Sequence, residues 1–116
     1  MASEIPHVSD EETRAGLATT HEYAPVILRQ GPAYQDEGAP AIVWEHGRRN
    51  FGLRADGVTD VVCPVMDDSA VCGVAVFDAT PGEVARVMDG DPGVAAGVFV
   101  DDVHPCRGFP GDALGG

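Results

Sequence analysis

Of the four histidines and three cysteines in this chain, His46 has the setting that most suggests chemistry. It lies in the run AIVWEHGRRNFGLR, where Ile42, His46, Arg49 and Leu53 recur at helical spacing along one side. An imidazole on an apolar helix face is either a packed, hydrogen-bonded core residue or an acid/base group whose proton comes and goes near neutral pH. Asp91 precedes Pro92, and an Asp-Pro pair is first of all a turn former. His104 and Cys106 stand close together, but two candidate ligands without a supporting cluster do not make a metal centre, so no metal is expected. Asp36-Glu37, Asp67-Asp68 and Asp101-Asp102 read as solvated turns or strand ends rather than acid/base pairs. Cys63 and Cys72 read as small buried apolar residues, and no Cys-His nucleophile is supported. Neither a GxGxxG nor a Walker phosphate loop is present.

The elements that position these residues centre on Ala70 to Pro105. Ala70 to Phe77 is apolar and rich in valine, which predicts a strand buried on both faces. Thr80 as N-cap, Pro81 at the first helical position and Glu83 as the returning carboxylate predict a helix from Pro81. Val84, Val87 and Met88 give that helix an apolar stripe, and Gly90 supplies a left-handed stop. After the Asp91-Pro92 turn and a short Gly/Ala-rich connection, Gly97 to His104 is the returning strand. Upstream, the run APVIL before Gly31-Pro32 predicts a first strand. Ala39 to Arg54 predicts an amphipathic helix closing at Gly57. Gly47 and Gly52 weaken it by up to about 1 kcal/mol each relative to alanine. Thr59 to Met66 is the next strand. Asp67-Asp68 as a two-residue turn would set Met66 against Ser69 and Cys63 against Cys72, with Pro64 at an edge or bulge. Around the Ala39 helix, Trp44, Tyr34 and Phe51 could line a cleft for an aromatic ligand, with core packing the expected role for Phe51 and exposure for Tyr34.

At 116 residues the chain is one domain that buries roughly two thirds of its unfolded surface. Nineteen acidic residues against seven basic ones, a net charge of −12, disfavour nucleic acid and anionic membranes as partners. No apolar run of membrane-spanning length and no signal peptide are apparent, and an odd cysteine count fits a reducing compartment, so a cytoplasmic protein is expected. Residues 1–22 read as a flexible acidic arm with a helical turn allowed around Asp10 to Leu17. Residues 23–105 form the domain, and residues 106–116 form a Gly/Pro-rich tail.

The element order βαββαβ predicts a ferredoxin-like α+β fold with a four-stranded antiparallel sheet. Both faces of the hairpin are apolar and two helices cover only one, so a second copy should cover the other, making a homodimer. From His46 through FDATPGEVARVM to Asp91-Pro92 and Ala96 to Phe99, the chain resembles the YCII-related family of dimeric α+β barrels. The resemblance runs roughly from Tyr23 to Leu114 and departs at VVCPV, where many members carry Ala-Gly-Pro. It implies that His46 sits in a cleft near Asp91 as an acid/base pair, and that the protein takes a small-molecule ligand without a cofactor. The wider group includes muconolactone isomerases and a dehydrochlorinase, and cofactor-free oxygenation also occurs in it. These imply a lyase or isomerase acting on an apolar or aromatic substrate, with Trp44, Arg49 and Asn50 as candidate substrate-binding residues. Arg49, Asn50 or a backbone amide would stabilise an oxyanion. The other reading is a noncatalytic dimeric ligand-binding or accessory protein.

Overall fold

The structure, a computed structural model, describes residues 4–116. The first three residues of the expected N-terminal arm lie outside the described residues. The chain divides into two compact units, one running from Glu22 to Cys106 and the other made of the two chain ends up to His21 and from Arg107 onward. In the second unit, α1 (Asp10–Leu17) forms where the sequence allows a helical turn. Ser9 accepts from the Glu12 amide at 3.1 Å while the Glu12 carboxylate reaches back to the Ser9 amide at 3.4 Å, a complete capping box. Arg107 there donates from Nε to the Thr20 hydroxyl at 2.8 Å and from Nη2 to the Thr20 carbonyl at 2.9 Å.

The larger unit follows the expected order: β1 (His21–Gln30), α2 (Ala39–Ala55), β2 (Thr59–Pro64), β3 (Val71–Phe77), α3 (Pro81–Asp89), α4 (Pro92–Ala95) and β4 (Phe99–Val103). The strands line up β2-β3-β1-β4, and a short β5 (Cys106–Gly108) lies off that path. The three pairings along the path are antiparallel. Strands β3 and β4 therefore flank β1 rather than each other, as a ferredoxin-like α+β fold requires.

Alternation along β1 decides which face the helices cover. Ala24, Val26 and Leu28 are buried, and the register sets them beside Phe77, Ala75 and Gly73 of β3. Ala39 of α2, Val84 and Met88 of α3, and Val98 and Phe99 complete this core. Each of the valine, leucine, methionine and phenylalanine side chains contributes about 1.5–3 kcal/mol by leaving water. On the opposite face Val74 and Val100 are each 41% exposed, and Ile27 and Val76 are only half-buried. The expectation of burial on both faces of the strand from Ala70 to Phe77 is therefore not met within one chain.

The hairpin register differs from the sequence reading. Cys63 faces Val74 and not Cys72, Pro64 faces Gly73, and the Val65 amide donates to the Cys72 carbonyl at 2.9 Å. The cause lies in the loop: the Asp67 carboxylate accepts from the Ser69 amide at 2.9 Å and hydroxyl at 2.6 Å, an Asx turn that widens the reversal beyond two residues. Because the slip is by two positions, the side chains from Val61 to Pro64 keep their faces. Pro64 sits in β2, an edge strand of the path, where its missing N–H costs little.

Both α2 and α4 end in the same way. Gly57 and Gly97 each have φ of +74°. Gly57 and Val58 donate to the carbonyls of Arg54 and Leu53 at 3.1 and 3.0 Å. Gly97 and Val98 repeat the pattern on Val94 and Gly93 at 3.1 and 2.9 Å. These are Schellman closures, which need a left-handed residue. Gly90 is not one: its φ is −84°, because the chain passes directly from α3 into α4 and never reverses there. The short helix α4 itself stands where the sequence suggested only a connection. Two aromatic expectations also exchange places. Phe51 is 69% exposed under the Arg54 guanidinium, while Tyr34 packs against the core with its ring 6.1 Å from that of Phe99.

Candidate functional site

Asp91 caps α4, and this local geometry holds its carboxylate in place. Oδ2 accepts from the Gly93 and Val94 amides at 3.0 and 3.1 Å, the standard arrangement of an N-cap aspartate followed by proline. Oδ1 remains for a neighbour. On α2, His46, Arg49 and Asn50 occupy positions i, i+3 and i+4, so one stripe presents all three. His46 Nδ1 lies 2.7 Å from Asp91 Oδ1. The Asp91 side chain is 1% exposed and that of His46 13%, so water does not compete for this bond.

Charge fixes the direction of the hydrogen bond. Burial alone would raise the pKa of Asp91, but the hydrogen bond and charge of His46, the Val94 amide and the Arg49 guanidinium outweigh it, and the carboxyl is held below its usual 3.8. An ionised carboxylate only accepts, so Nδ1 carries the proton. In the neutral ring this leaves Nε2 as an acceptor, and Asn50 Nδ2 stands 3.2 Å from it. The Phe99 ring packs against the imidazole at 4.8 Å between centroids. His46 is therefore fixed by a carboxylate at one nitrogen, an amide at the other and an aromatic ring beside it.

A cavity of about 220 Å³ opens between α2 and the helix-covered face of the sheet. His46 and Asn50 line it among apolar side chains such as Val26, Leu28, Val62, Phe77 and Met88. The structure thus brings together His46, Asp91 and Asn50, with the first and last at the cavity. Arg49 reaches the pair from behind: Nη2 donates to the Val87 carbonyl at 2.7 Å and Nη1 lies 3.9 Å from Asp91 Oδ1. It is absent from the cavity wall. Trp44 is 70% exposed and borders a separate outer groove with Pro40, Val43 and Phe51. Of the oxyanion candidates, Asn50 is the side chain at the cavity. The sequence reading did not single out Phe99 or Gly93, although the Asp-Pro-Gly start of α4 is an N-cap signature that was available. His104 is exposed and Cys106 half-buried. Among the described residues no group of three or more His, Cys, Asp or Glu could hold a metal, and no helix is long and apolar enough to cross a membrane.

Comparison with solved structures finds a relative of this arrangement of elements. The structure is similar to that of 5-chloro-2-hydroxyhydroquinone dehydrochlorinase from Burkholderia phenoliruptrix AC1100, in complex with 2,5-dihydroxybenzoquinone, with a TM-score of 0.50 and 15% identity over 70% of this chain and 90% of that one. The likeness is one of fold. No family model matches the sequence, and no curated protein does.

Proposed function

We propose that the chain is a cofactor-independent lyase or isomerase for an apolar or aromatic single-ring substrate, with His46 moving the proton and Asp91 orienting it. The observation that carries this reading is the 2.7 Å bond between His46 Nδ1 and Asp91 Oδ1 beside an apolar cavity. A buried carboxylate on one nitrogen fixes the tautomer and stabilises the imidazolium that forms when the other takes a proton. The size of the cavity supports a small ring: an engineered apolar cavity on the order of 150 Å³ already binds benzene, so about 220 Å³ suits a substituted one. In an elimination, His46 Nε2 takes a proton from the substrate. The electron pair of the broken bond forms the new double bond, and the leaving group departs with its own pair. The imidazolium then returns its proton to water. In an isomerisation the same proton goes back to a different carbon of the ring. Asn50, released from Nε2 as substrate enters, donates to the oxygen on which charge develops. The resemblance to YCII-related proteins and the dehydrochlorinase neighbour, which was solved with a dihydroxybenzoquinone, support the reaction class and the ring.

The open sheet face, with Val74 and Val100 each 41% exposed, pairs in this reading with the same face of a second copy, giving a homodimer. Three free cysteines support a reducing, cytoplasmic setting. A second reading, a noncatalytic ligand-binding protein, has its own support in the Asn50 amide that already engages Nε2. A panel of halogenated and hydroxylated six-membered rings separates the two, with halide release and ring absorbance as readouts and 2,5-dihydroxybenzoquinone as the binding probe. The enzyme reading expects turnover that falls by about 10²–10⁴-fold in His46→Ala while the probe still binds. Binding of the probe with no turnover of any ring by the wild type would favour the second reading.

A further inference from the structure

We infer that Phe99 and Gly93 are positioning residues for His46, acting together as a packed ledge that holds the imidazole against Asp91; their importance to a reaction rests on the function proposed above. Gly93 contributes in two ways. Its amide donates to Asp91 Oδ2 at 3.0 Å, which fixes the carboxylate. Its missing side chain makes room for Phe99, since a Cβ at position 93 would overlap Cδ2 of that ring and stand 3.0 Å from Asp91 Oδ2. Phe99 in turn packs on His46 at 4.8 Å and is backed by Tyr34 at 6.1 Å. Only 5% of Phe99 is exposed, so a displaced ring has no solvent to move into and must press on the imidazole. Gly93 has no positive φ, so its backbone does not demand glycine. The space taken by Phe99 does.

The test is the state of the His46 ring, which requires no substrate. In a ¹⁵N NMR spectrum recorded where the ring is neutral, wild-type His46 is expected as the Nδ1–H tautomer. Gly93→Ala should lower the ratio of Nδ1–H to Nε2–H by about tenfold, as a charge-assisted hydrogen bond is weakened. Gly93→Ala combined with Phe99→Leu, whose smaller side chain leaves space for the added methyl, should recover most of that ratio. Should Gly93→Ala fail to fold, Phe99→Leu alone decides, because the smaller side chain with no methyl added at position 93 leaves the imidazole unsupported on that side and should lower the same ratio of Nδ1–H to Nε2–H. A folded Gly93→Ala, or a folded Phe99→Leu, that keeps the wild-type ratio of Nδ1–H to Nε2–H would overturn the inference. Loss of the proposed reaction reads separately: if His46→Ala retains turnover, the catalytic assignment fails while the ring signals still report on the ledge. Where turnover is found, Gly93→Ala should lower kcat by about 10- to 100-fold with KM little changed, and the double variant should restore it.

Discussion

Asp91 accepts three hydrogen bonds at once, from two amides of α4 and the imidazole of His46, and the guanidinium of Arg49 stands 3.9 Å away as a more distant cation. Its depressed pKa makes this network a source of pH-dependent stability. With a folded value below the unfolded one near 3.9, the carboxylate stabilises the fold fully above about pH 5, and that stabilisation disappears as pH falls through the folded value. Asp91→Asn is expected to cost about 1–3 kcal/mol at neutral pH. Urea unfolding as a function of pH should show the gap to wild type closing below about pH 4. A gap of the same size at pH 3 and pH 7 would mean that the charge of Asp91 does not matter to the fold. Both residues of the pair could be singled out from the sequence, His46 by its helical stripe and Asp91 by its proline. Their proximity could not be derived from spacing, since they lie 45 positions apart, and came only from the family resemblance. Arg49 and Asn50 are equal oxyanion candidates in the sequence, but the long Arg49 side chain donates to the Val87 carbonyl of α3 and only Asn50 lines the cavity.

At the scale of elements, local rules predicted most of what formed. Thr80 accepts from the Glu83 amide at 3.2 Å and α3 buries Val84 and Met88, as the pattern of cap and stripe required. The glycines divide by backbone conformation, which sequence alone does not reveal. Gly57→Ala is expected to destabilise the protein by about 1–2 kcal/mol, because a left-handed φ carries that cost for an L side chain. Gly52→Ala, inside α2 with nothing within 4 Å of the added carbon, should stabilise by about 0.5–1 kcal/mol. Chemical denaturation of the two variants checks both signs. The hairpin register is not legible in the sequence because the reversal is set by the two hydrogen bonds that the Asp67 carboxylate accepts from Ser69 in the loop, whereas the faces are legible because any even slip preserves them. The aromatic residues were misread for a related reason. Helical periodicity says which positions share a stripe, but not whether a neighbouring element covers it, and Phe51 of α2 is uncovered; Tyr34 lies in the turn before α2, where no periodicity applies, and that turn folds back to set its ring against Phe99.

For the whole molecule, the fold class was legible from element order, and the likeness to the dehydrochlorinase agrees with it. The open sheet face leads to an expectation about assembly. Sedimentation of the wild type should give twice the chain mass of 12.1 kDa, and Val74→Lys, which sets a charge in the middle of that face, should give the monomer. A wild type that sediments as a monomer would sink the homodimer. The oriented imidazole at the apolar cavity is tested by the ¹⁵N spectrum of the His46 ring in the wild type and in Asp91→Asn, recorded where the ring is neutral. The expected result is a proton on Nδ1 and a bare Nε2 in the wild type, with the preference weakened in Asp91→Asn. A wild-type ring protonated at Nε2, or one unchanged by the substitution, would mean that Asp91 does not orient His46.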